Sequence, residues 1–234
     1  MKQRLYILLM GMSLLFSFML FSREVKRGFL KSTDFNVTVK LQDKISPRYD
    51  QIMDDGAILI DPIVSSVIVL GLTGWVFVKT RGKRKFFAVI IPVAFVVLTL
   101  VEVYGKNFIP HPGPPFFMIK QPATIFPQFH VVQPYSYPSG HAARATFIGI
   151  IFLSLVTGPF GFAQGKHGTQ KSGRLGMRRW MIGGIVGYVV FIYMSRIYLG
   201  HHWLSDIIGG ALLGGGFALF TIFMVSRKNM QPIR

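Results

Sequence analysis

Apolar residues in this chain gather into long unbroken runs rather than alternating with polar ones. Runs of about twenty residues recur at 5–21, 58–78, 86–104, 143–162, 180–198 and 203–225, the length a helix needs to cross roughly 30 Å of hydrocarbon. They lack the dyad alternation of barrel strands. The pattern predicts an all-α, polytopic membrane protein, a six-transmembrane-helix bundle. "MKQR" and an apolar core open the chain as a signal peptide would, but no small-x-small pattern follows in "FSFMLFSREVK", so an uncleaved first helix is expected. No internal repeat or soluble second domain is visible. Residues 1–234 are read as one membrane-embedded domain, with 161–176, "GFAQGKHGTQKSGRLG", as a flexible cytoplasmic loop. Gly183, Gly184, Gly187 and the "GGALLGGG" of 209–216 place small residues at helical spacing, as close helix packing in lipid requires.

Composition agrees. The 234 residues are 51% hydrophobic and 15% charged, with a mean hydropathy of +0.46, whereas soluble domains carry about a quarter charged residues. Cysteine is absent, which removes disulfides and thiolate chemistry. With six spans both termini share one side, and that side collects 15 of the 26 basic residues and no acid. All nine acids lie in the opposite loops or the membrane halves near them. The positive-inside rule then places both termini in the cytoplasm of a plasma (inner) membrane protein. The net charge of +17 is split among short loops beside apolar spans, where topology and anionic headgroups account for it. No nucleic-acid partner is expected.

The outer loops differ from one another. Residues 23–57 are mixed in charge and read as surface, or as an amphipathic lid. The loop over 105–142 holds eight of the thirteen prolines, interleaved with Phe108, Phe116, Phe117, Phe126, Phe129, Tyr135 and Tyr137. Proline blocks regular helix and aromatic rings favour the membrane boundary, so an ordered interfacial rim is expected.

Ionisable groups near span ends are costly unless they serve a purpose, and three clusters fall on this one face. Lys106 closes the third span with Glu102 one turn earlier; "PSGHAAR" opens the fourth; "SRIYLGHHWLSD" joins the fifth and sixth. His202 and Asp206 are four apart, on one helical face. An Asp accepting from one imidazole nitrogen fixes the tautomer and leaves the other nitrogen its lone pair, as in an oriented nucleophile or base. Ser139 and the Gly140 amide, at a helix N-terminus, suit an anion. Lys106, Arg144 and Arg196 add cationic donors, arginine being fitted to forked contacts with phosphate. His141 is then a second imidazole, available as an acid. Taken singly, His-x-x-x-Asp reads as a structural hydrogen bond and Pro-Ser-Gly-His as a turn with an N-cap. Together they fit phosphoryl transfer through a phosphohistidine. A metal site of His201, His202 and Asp206 is disfavoured by the surrounding cations; no metal and no cofactor are expected.

Pro138-Ser139-Gly140-His141 followed by Ser195-Arg196-x5-His202-x3-Asp206 resembles the second and third signature motifs of the type 2 phosphatidic acid phosphatase superfamily, over about residues 102–215. The resemblance implies a hydrolase of lipid phosphates or pyrophosphates facing outside, with undecaprenyl pyrophosphate, phosphatidylglycerophosphate and phosphatidic acid as candidate substrates. It implies His202 as nucleophile, Asp206 as its orienting group and His141 as acid and later water activator. Ser139, the Gly140 amide, Arg196 and Lys106 would hold phosphate oxygens, without a metal. A lipid phosphotransferase with the same site, or a non-catalytic lipid-phosphate binder, is the alternative. The first motif departs from the pattern: Lys106 is followed by "NFIPHP" and then Gly113-Pro114, where the family has Arg-Pro. Arg144, three residues after His141 on the same face, is the expected substitute; His111 and Lys120 are weaker ones. His130, His201 and the oligomeric state are left unassigned.

Overall fold

The computed structural model describes residues 2–80, 82–120, 133–157 and 171–225. Eight α-helices account for most of these: α1 (Lys2–Lys26), α2 (Lys31–Lys44), α3 (Asp50–Asp55), α4 (Pro62–Lys79), α5 (Ile90–Phe108), α6 (Gly140–Thr157), α7 (Lys171–Tyr198) and α8 (Leu204–Val225). Six helices among the described residues are long and apolar enough to cross a membrane, at 2–26, 62–79, 85–108, 140–157, 176–198 and 204–225. The expected bundle is therefore present, and its all-helical class follows from the length of the apolar runs. Of the expected loop at 161–176, residues 161–170 lie outside the described residues, while 171–176 already belong to α7.

α8 is the centre of the bundle, with α1, α5 and α6 packed on it. Close approach comes from missing side chains. A Cβ at Gly210 would run into the Ser139 carbonyl, one at Gly214 into the Ala143 carbonyl, and one at Gly209 into the Tyr137 ring. The glycine row of α8 thus lets the first turn of α6 lie against backbone, which holds two of the three polar clusters together. Among the described residues, nothing lies within 4 Å of such a Cβ at Gly183, Gly184 or Gly187. Within the described residues they do not mediate the packing that their spacing suggested.

The helices alternate in direction, so α1, α5 and α7 end where α4, α6 and α8 begin. The 27–61 region caps that end and is not loose surface. α2 packs on α7 and α8, and α3 on α7. Val37 and Leu41 lie against a cluster of Ala142, Ile197 and Ile207, and the Gln42 amide donates to the carbonyls of Met118 (2.7 Å) and Tyr198 (2.9 Å). Phe108, Phe116 and Phe117 are exposed at this end, as expected of a rim; Phe126, Phe129 and His130 lie outside the described residues.

Candidate active site

α8 starts with its own third residue as a cap. Asp206 Oδ2 accepts the Trp203 backbone N–H at 3.0 Å, satisfying a donor the helix leaves open, and takes the His202 Nδ1–H at 3.2 Å. His202 is thereby held as the tautomer whose Nε2 carries a lone pair. Gly200, at φ +70, makes the turn before it, and a Cβ there would strike the Met118 carbonyl. Only glycine fits. Burial holds the His202 imidazole below its ordinary protonation range; Asp206 opposes this, while Lys106 and Arg196 add to it. The neutral form is favoured, which is what a nucleophile needs.

The Ser139 turn is tied to the same helix. Ser139 N donates to the Asp206 carbonyl (3.0 Å), and Ser139 Oγ accepts the Ala142 N–H at 3.4 Å at the start of α6. The Tyr137-Pro138 peptide is cis. Ser139, Gly140, Arg144, Arg196, His202 and Asp206 are all buried.

Every expected base is met by a carboxylate or another fixed partner. His141 Nε2 lies 3.1 Å from Asp61 Oδ1. Arg196 Nη2 reaches Asp54 Oδ1 (3.2 Å) and the Met53 carbonyl (3.1 Å), and its Nη1 lies 3.1 Å from His201 Nδ1. Lys106 Nζ and Arg144 Nη1 each donate to Glu102, both at 2.8 Å, and Arg144 Nε donates to the Ile60 carbonyl at 2.9 Å. Arg144 and Lys106 thus share one carboxylate. Lys120 is placed elsewhere. It donates to Tyr198 Oη at 2.8 Å and lies 3.5 Å from Asp50 Oδ1, which Tyr198 also bonds.

His111 is buried behind the His202–Asp206 pair. Ser205 gives its hydroxyl hydrogen to Asp34 Oδ2 (2.7 Å) and its amide to Asp34 Oδ1 (2.8 Å). The Ser205 oxygen therefore accepts from His111 Nε2–H, 3.0 Å away. That nitrogen also stands 3.5 Å from Asp206 Oδ1. His111 thus faces the back of the Asp206 carboxylate. Burial pushes the Asp34 carboxyl up, against the two Ser205 hydrogen bonds and His111.

Asp34, Asp54, Asp61 and the pairing role of Glu102 were not legible as site features. The available signal was the restriction of all nine acids to one face. Among the described residues no group of three or more His, Cys, Asp or Glu is arranged to hold a metal ion. The arrangement offers one oriented imidazole, a second imidazole on a carboxylate, a helix N-terminus and three buried or half-buried cations. It is fitted to an anion and to nucleophilic and proton-transfer chemistry on it.

The fold is similar to that of a transmembrane PAP2 type phosphatidylglycerolphosphate phosphatase from Bacillus subtilis, with a TM-score of 0.68 at 18% identity, covering 96% of this chain and 98% of that one. LpxE of Aquifex aeolicus is more distant, with a TM-score of 0.52 at 20% identity, covering 81% and 94%. In sequence, the chain is 34% identical over 100 residues to an undecaprenyl-diphosphatase of Sulfolobus acidocaldarius, covering 42% of this chain and 38% of that protein. It is 35% identical over 96 residues to a probable lipid phosphate phosphatase beta of Arabidopsis thaliana, covering 38% and 44%. The chain thus spans less than half the length of either curated relative. The family model of the PAP2 superfamily matches residues 85–230, a stretch that contains all three polar clusters, and the chain belongs to that superfamily.

Proposed function

We propose that the protein is a metal-independent phosphatase of lipid phosphates or pyrophosphates, working through a phosphohistidine at the extracytoplasmic membrane face. The observation that carries this reading is the buried His202–Asp206 pair set beside the Ser139 turn and the cations Lys106, Arg144 and Arg196. His202 Nε2 attacks phosphorus, and the bond to the leaving oxygen breaks as His141 delivers a proton to it. His141, held by Asp61, then takes a proton from water, which attacks the phosphohistidine and frees inorganic phosphate and His202. Ser139, the Gly140 amide, Arg196, Lys106 and Arg144 hold the phosphate oxygens, their charge matched to the oxygens of the transferring group.

The substrate class follows from the setting. The site closes one end of an apolar bundle, so the phosphate lies at the interface while a lipid tail stays in the hydrocarbon. The names of the relatives, an undecaprenyl-diphosphatase and a lipid phosphate phosphatase, support the same class. The partition of 15 basic residues to the opposite end supports an outward-facing site and cytoplasmic termini.

One experiment tests class and face together. Membrane vesicles in EDTA are given a panel of short-chain, water-soluble lipid phosphates and diphosphates. Right-side-out vesicles should release inorganic phosphate, inverted ones only after detergent, and His202→Ala neither. Metal-dependent release would contradict the mechanism, and release by sealed inverted vesicles would contradict the orientation.

A further inference from the structure

Two of the cations assigned to substrate phosphate, Lys106 and Arg144, are both bonded to one carboxylate. Glu102 Oε1 takes Lys106 Nζ and Oε2 takes Arg144 Nη1, each at 2.8 Å. The carboxylate also lies against the first residue of α6, where a Cβ at Gly140 would collide with Glu102 Oε1. An internal anion therefore stands at the same helix N-terminus, on the same donors, that the reading above gives to the substrate. Glu102 and Arg144 are each 4% exposed, so neither has water as a ready alternative partner.

We propose that Glu102 is a positioning residue that holds the places of two phosphate oxygens, keeping Lys106 and Arg144 aimed at the anion position and yielding them to the substrate. The inference rests on the phosphate-holding roles proposed above. Removing its charge leaves the buried Arg144 and the half-buried Lys106 without their carboxylate, and phosphate can then take its place. A carboxylate that serves only to brace α5 on α6 has no such coupling to phosphate.

The probe is inorganic phosphate on the purified full-length protein in detergent, read by its inhibition constant and by the rise it causes in unfolding temperature. Glu102→Gln should be less stable without phosphate. It should bind phosphate on the order of tenfold more tightly than the wild type, as when one charge-assisted hydrogen bond no longer competes. Most of that gain should vanish in Glu102→Gln/Arg144→Ala, because the contested guanidinium is gone. If Glu102→Gln does not fold, Glu102→Asp, which retracts the carboxylate by one methylene, should shift both readings in the same direction by less. Unchanged or weaker phosphate binding, or a gain that survives at full size without Arg144, would overturn the inference while a wild type that hydrolyses lipid phosphates keeps the main reading. A wild type that hydrolyses none would remove the reading and the inference with it.

Discussion

His202 owes its readiness to two opposed effects on one imidazole. Burial disfavours its charged form, and Asp206 at 3.2 Å partly restores it, with burial the stronger. Its folded protonation range lies below the ordinary value of 6.5, so the neutral form, the one the proposed attack requires, persists to lower pH than for a free histidine. The lone-pair form of His202 is then fully present above 6.5 and lost only as the pH falls through the depressed value, which sets the acid limb alone. The acid limb of kcat/KM should lie below 6.5; a limb at or above it would mean that charge stabilisation by Asp206 dominates. His202 and Asp206 were legible because a four-residue spacing is local and a helix turns it into geometry. The place of His111 was not: it stands 3.5 Å from Asp206 Oδ1 and bonds Ser205, which Asp34 holds, so the cluster joins three separate stretches of chain.

At the scale of elements, the site is built where the first turn of α6 meets the glycine row of α8. Gly210→Ala would drive a methyl into the Ser139 carbonyl, and the two helices must separate there. We expect a loss of about 1–3 kcal/mol, read as a lower unfolding temperature in detergent, together with lost phosphate release as the Ser139 turn moves. Gly184→Ala, whose added methyl meets nothing within 4 Å among the described residues, should leave both unchanged. Equal effects would show that contact with α6 is not what the glycines serve. Sequence spacing flagged both glycine groups alike, because periodicity reports that small residues share a face but not which face has a neighbour. The first outer loop, expected over 23–57 as surface or an amphipathic lid and found capping the site end over 27–61, shows the opposite failure. Its mixed charge reads as surface, yet Asp34, Asp54 and Asp61 reach inward to Ser205, Arg196 and His141.

For the molecule as a whole, charge separates along the membrane normal and then pairs within one end. Seven of the nine acids, Glu24, Asp34, Asp50, Asp54, Asp61, Glu102 and Asp206, lie within 4.0 Å of a basic group at the site end. The spans, their number and the three converging clusters followed from apolar run length and topology alone. The acid partners did not, since pairing between distant loops depends on how the cap settles on the bundle. The central claim is that this end transfers a phosphoryl group to His202. It is tested most directly by mixing purified protein with a labelled lipid phosphate in EDTA, quenching within milliseconds into base, and mapping the label by mass spectrometry. The account predicts a base-stable, acid-labile phosphoryl group on the peptide containing His202, formed and consumed as fast as phosphate is released and absent in His202→Ala. Turnover with the label on another residue, or phosphate release that persists in His202→Ala, would contradict it.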